Sequence, residues 1–207
     1  AGYITGKDIY KDKEESKQNL NPEAYRDASS VKSDIRLSRT RNKSTLSLIP
    51  YVRKNNMQFL QHYLPGTPVE KNNHRSLGLI VKSTTPFKML FTTSGIQIEK
   101  AKIKLEEYQA SPLITSSAFN NAVRPQGFHY DYEVDSRVVA FFTGFTGFWF
   151  GNSSMLFGDL RIESNEYSYD NKMLTGNTRD DGTACSFGGC YYNRPEDRDD
   201  VFEEVSF

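Results

Sequence analysis

The chain is short of the residues that most often carry chemistry. Its 207 residues include two cysteines, three histidines and one tryptophan. Two cysteines cannot build a disulfide framework, and no second Cys or His cluster beside them completes a zinc set. There is no G-x-S-x-G elbow, no P-loop, no H-E-x-x-H and no G-x-G-x-x-G, so the common hydrolase, nucleotide-binding and metalloprotease signatures are missing. No apolar run approaches the roughly 18 to 20 residues of a membrane-spanning helix, and on that ground no membrane span is expected. Net charge is also absent: 26 basic side chains stand against 26 acidic ones. A freestanding nucleic-acid-binding domain is usually strongly basic, so that class is disfavoured.

What is present is length, aromatic content and an uneven spread of charge. The length fits one domain that can bury a core without staples. Aromatic residues make up 13% of a chain whose mean hydropathy is −0.64, too many for a disordered polymer. Residues 1–45 carry 10 basic and 7 acidic side chains, residues 46–125 carry 10 and 4, and residues 126–207 carry 6 and 15. Opposite blocks of this kind neutralise within one fold or meet between copies, where complementary fields favour specific contacts.

Two segments are expected to differ in kind. Residues 1–44 read as a charged N-terminal arm, with Asn21-Pro22-Glu23 as a helix start and Ala24, Ala28, Val31 and Ile35 at helical spacing. Residues 45–207 read as a single β-rich domain of short runs punctuated by Gly, Pro, Asn and Asp. Such a pattern points to a sandwich or barrel. The stretch 96–109 fits either a helix face or two alternating pieces with a register break. The propensity of EKAKIKLEEYQ favours the helix.

Several groups are candidates for function. His129, Asp131 and Glu133 alternate on one strand face and offer an imidazole and carboxylates to a metal, or an acid/base pair to a hydrolase; a half-buried strand with a solvated polar face is the favoured account of them. Phe145, Phe148, Trp149 and Phe150 lie in the run FFTGFTGFWFG, which suggests an aromatic platform, a core, or an interface covered by another subunit. Cys185 and Cys190, with four residues between them, can close a small disulfide in an oxidising compartment. No cofactor is implied.

The segments Gly127-Phe-His-Tyr-Asp-Tyr-Glu-Val134 and Val138–Gly147, with the closing Asp199–Phe207, resemble the jelly-roll coat proteins of small icosahedral RNA viruses. The resemblance implies a mainly β, jelly-roll-like sandwich with a helical or extended N-terminal arm. It further implies a non-enzymatic subunit that assembles with copies of itself in a virion. Arg36, Arg39 and Arg41 would then be the contacts to packaged nucleic acid, through phosphates only. The alternative is a secreted or cell-surface adhesion or glycan-binding module.

Overall fold

A computed structural model describes residues 8–14, 17, 23–60, 66–149 and 154–207. The chain is mainly β. Eight strands form one antiparallel sheet: β1 (Arg26–Asp34), β2 (Leu37–Arg41), β3 (Ser44–Leu60), β4 (Val69–Phe87), β5 (Leu90–Gln109), β6 (Gly127–Trp149), β7 (Ser154–Asn171) and β8 (Arg198–Ser206). From β3 onward each strand pairs with its successor, while β1 and β2 both lie along β3. One short helix, α1 (Ala118–Val123), sits between β5 and β6, with Ser117 capping it through its hydroxyl.

Two expectations of helix are overturned. Residues 26–41 are β1 and β2, and the stretch 96–109 lies inside β5. In both places pairing decides the matter. Arg26–Asp34 runs along Tyr51–Phe59, and β5 has partners on both sides, so ladder hydrogen bonds override a weak local preference. Of the charged arm expected over residues 1–44, residues 1–7, 15–16 and 18–22, with the Asn21-Pro22 helix start, lie outside the described residues; Ile9–Lys11 forms one 3-10 turn.

The two ends of the sheet differ. At one end the connections are short: Asn42-Lys43 joins β2 to β3, and Lys88-Met89 joins β4 to β5. Asn42 and Lys43 both take the left-handed conformation that a two-residue I′ hairpin turn requires. At the other end lie the long connections 110–126, carrying α1, and 172–197, carrying the cysteines. A bulge at Glu107/Tyr108 shifts the β5–β6 register just before that end.

Candidate functional site

Apolar side chains change faces partway along the long strands. In β5, Ile96 and Ile98 share one face, whereas Ala101, Ile103 and Leu105 belong to the other, because alternation places residues of opposite parity on opposite sides. The same switch occurs in β6 between Val139/Phe141 and Tyr130/Tyr132/Val134, and in β7 between Leu160/Ile162 and Tyr167/Tyr169. It occurs in β3 between Leu46/Leu48/Val52 and Met57/Phe59. The switches fall at the same level of the sheet, since Ile98 pairs with Val139 and Ile103 with Val134.

Near the short turns, one face therefore presents an apolar band. A single row crosses six strands as Leu48, Val81, Ile96, Phe141, Ile162 and Val205. These side chains are not a core: Ile96 is 48% exposed, Phe141 47% and Val205 57%. Hydroxyls within the band satisfy one another, as Ser94 Oγ and Thr143 Oγ1 do at 2.8 Å.

The opposite face of the same rows is covered and mixed, with Ile49, Ile80 and Phe142 beside a polar network. Tyr51 donates to Glu99, and Arg53 donates to the same carboxylate and, through Nε, to Ser76 Oγ at 3.1 Å. Gln97 Nε2 donates to Tyr51 Oη at 2.8 Å, and Arg161 Nη1 donates to Gln97 Oε1 at 3.2 Å. Arg161 Nε and Asn165 Nδ2 then donate to the two oxygens of Glu163 at 2.6 and 2.9 Å. This network runs from β3 to β7 and passes over β6 at Ala140, whose small side chain is 1% exposed. Glycine at 78 provides the room for Tyr51, whose ring occupies the place a Cβ there would need.

Toward the long loops the assignment is reversed. The face that carried the apolar band becomes charged, with Lys102 on Glu133 at 2.8 Å, Lys104 on Glu106 at 2.7 Å and Arg137 on Glu166 at 3.6 Å. The hydrogen bond from Lys102, helped by its charge, holds the Glu133 carboxyl below its ordinary value.

The 172–197 connection is a folded cap, closed by the disulfide Cys185–Cys190. Arg194 is its centre and is 1% exposed. Its guanidinium donates to the carbonyls of Leu174 at 2.7 Å, Thr178 at 2.7 Å and Arg179 at 3.1 Å, and lies over the Tyr192 ring. His129 stacks on Tyr192, with Nδ1 2.8 Å from Glu107 and Nε2 2.8 Å from the Pro125 carbonyl oxygen. At the tip, Thr183 donates to Asp181 from its amide at 2.9 Å and its hydroxyl at 2.7 Å, which lowers the Asp181 carboxyl.

The residues singled out in the sequence are dispersed. His129 is drawn out of alternation by the bulge and buried against Glu107, while Asp131 and Glu133 face lysines. Among the described residues no group of three or more His, Cys, Asp or Glu side chains is placed to hold a metal. Phe145 and Phe148 lie on opposite faces by parity. Phe148 packs edge-on to Phe91; Phe150 and the Trp149 side chain lie outside the described residues. Arg36, Arg39 and Arg41 are exposed. Arg36 borders a cleft on the polar face together with Lys32, Lys82 and Tyr51. The polar network was missed in the sequence because its members come from four strands, β3, β4, β5 and β7. The signal that could have found it is polar residues alternating with Leu46, Leu48, Ile96, Ile98 and Leu160.

No protein-family model matches the chain, and no curated protein matches it.

Proposed function

We propose that this sheet is part of the wall of a membrane-spanning β-barrel, a non-enzymatic structural role, with its apolar band toward lipid and its polar network toward a lumen. The observation that supports this is the change of faces. In water, a sheet keeps its apolar side chains on the covered side along its whole length. Here that rule holds near the long loops and inverts near the short turns, as it would if the outer face met water at one level and hydrocarbon at the next.

The dimensions agree. From Val139 to Gly147 the band follows β6 for roughly 26 Å at ~3.3 Å per residue. At the ~40° tilt of membrane barrels this rises roughly 20 Å, against their ~25 Å apolar girdle. Among the described residues no helix is long and apolar enough to cross a membrane. Strands cross by other means, with every ladder bond made between neighbours. Short turns at one end and long loops at the other are usual for such barrels. The Cys185–Cys190 disulfide fits an oxidising side for the long-loop end.

The self-assembling coat subunit expected from the sequence is the competing reading. It would cover the apolar band with the sheet of another copy, completing a sandwich between subunits. Spin labels on single introduced cysteines separate the two, since the native pair is tied up as a disulfide. In lipid vesicles, labels at Ile98 and Val139 should collide freely with lipid-dissolved oxygen, and labels at Gln97 and Ala140 should not. Shielding of Ile98 and Val139 from oxygen and from aqueous relaxants alike would favour the copy-on-copy sandwich.

A further inference from the structure

We infer that the cleft beside Tyr51 binds a phosphate monoester, with the dianionic head among lysines and arginines and the organic part on Ile49, Ile80 and Phe142. The inference goes beyond the barrel reading and does not need it. The cleft lies on the same face of the sheet whether that face lines a lumen or meets water.

The register builds the cleft. Lys32 lies opposite Arg53 and Asp34 opposite Tyr51, so β1 turns these two side chains to the face that carries Tyr51. Ile80 lies between Ile49 and Gln97, and Gly95 lies between Lys82 and Phe142. A Cβ at 95 would stand 2.5 Å from the Phe142 ring and 3.0 Å from the Lys82 Cβ, so glycine there keeps the hollow open. The cleft measures about 410 Å³, within the roughly 300–1,000 Å³ of small-molecule sites. That is more than a bare oxyanion fills. Ile49 is buried and Ile80 and Phe142 are half-buried, which gives an organic group an apolar surface beside the charges.

Charge selects the head group. Lys32, Arg36, Arg53 and Lys82 line the cleft against one carboxylate, Asp34. Glu99, next to the lining, is held by Arg53 and Tyr51. Lys32, Arg36 and Lys82 have no ion-pair partner among the described residues. Beyond Phe142, Arg161 and Glu163 balance each other at 2.6 Å and lie outside the lining. Setting Asp34 against one cation and Glu99 against Arg53 leaves two positive charges, the complement of a dianion. A phosphate monoester is that dianion at neutral pH, since its second pKa is about 6.

The same register argues against a nucleic-acid strand as the occupant. Arg39 and Arg41 lie opposite Leu46 and Ser44, and so take the other face of the sheet from Arg36. A polynucleotide running along one face would not meet all three arginines, which leaves Arg36 to a single head group.

The test is calorimetric titration of the chain in lipid nanodiscs, where both sides of the bilayer are open to solute. The probes are phenyl phosphate and, as its singly charged match, benzenesulfonate. Phenyl phosphate should bind saturably and more tightly than benzenesulfonate, and its advantage should shrink as the pH is lowered through about 6 and the head takes up a proton. Arg36→Gln and Lys82→Gln should each weaken it about tenfold, the effect of one hydrogen bond to a charged group. Asp34→Asn should tighten it, a gain that damage to the fold cannot produce. No saturable binding, equal affinity for the two anions, or indifference to all three substitutions would overturn the inference. So would displacement of phenyl phosphate by a single-stranded oligonucleotide whose binding falls with Arg39→Gln as much as with Arg36→Gln. The oxygen-collision pattern at Ile98 and Val139 reports on the barrel reading separately, so either can fail alone.

Discussion

The ring of Tyr51 lies directly on Gly78 of the neighbouring strand, in the space that any side chain at 78 would fill. That contact lets the hydroxyl of Tyr51 reach Glu99 and accept from Gln97, and so joins β3 to β5 across β4. Tyr51→Phe removes only the hydroxyl, with its bond to a carboxylate, and should cost about 1.5–3 kcal/mol. Gly78→Ala should displace the ring, losing the same bonds and adding about 1–3 kcal/mol of overpacking. Reversible unfolding of the two variants in lipid should therefore find Gly78→Ala the more destabilised; equal effects would mean that the ring position is unimportant.

Adjacent residues on β6 should respond oppositely to their surroundings. Phe141→Arg puts a charge inside the apolar band, away from its Val139 end, and should cost about 2 kcal/mol if that band is in a bilayer. In aqueous solution the same change at a partly exposed site should stay within about 0.5 kcal/mol. Ala140→Leu, on the covered face, should destabilise the protein in either setting because it blocks the path from Arg161 to Gln97. A Phe141→Arg penalty that does not depend on lipid would count against the proposed function.

The cap should come apart around Arg194. Arg194→Met leaves the carbonyls of Leu174, Thr178 and Arg179 without their donor, and each lost bond to a charged group is worth about 1.5–3 kcal/mol. Limited proteolysis should then cut between residues 172 and 197 while β6–β7 amides keep their protection. Loss of protection throughout the sheet would show that the cap is integral to the fold.

Reduction should act on the same region more mildly. The Cys185–Cys190 bridge closes a very short loop, for which chain entropy gives about 2 kcal/mol. Exchange at the Cys190 amide, which donates to Asn177, should quicken on adding a thiol reductant, with no change at β5.

Acid should loosen the tip of the cap. The Asp181 carboxyl is held low by its bonds from Thr183, so it contributes stability above the ordinary aspartate value. That contribution is lost as pH falls through the lowered value in the folded protein. Exchange at the Thr183 amide, corrected for its intrinsic pH dependence, should therefore rise only on the acid side of the normal carboxylate range.

The strand class was legible wherever one face stayed apolar over a run, as in Thr45–Val52 and Phe128–Val134. The break noticed between Ile98 and Ala101 was legible as well, but it reads as helix when each residue is scored by local propensity. Its cause lies between strands: Ile98, Val139 and the apolar end of β7 change sides at one level, and no single strand shows that the others do the same. The metal candidate failed to assemble for a related reason. His129 belongs to a bulge, which a strictly alternating reading of 128–134 has no means to place.

The order of the strands has a consequence for how the sheet can form. Every ladder from β3 onward joins neighbours in sequence, and the most widely separated paired residues are Leu90 and Gly147. Each hairpin can therefore add to the edge left by the one before it, with loop-closure entropy met in small steps. Assembly then resembles growth along one dimension, and an interruption at any strand leaves a shorter sheet with the same kind of open edge.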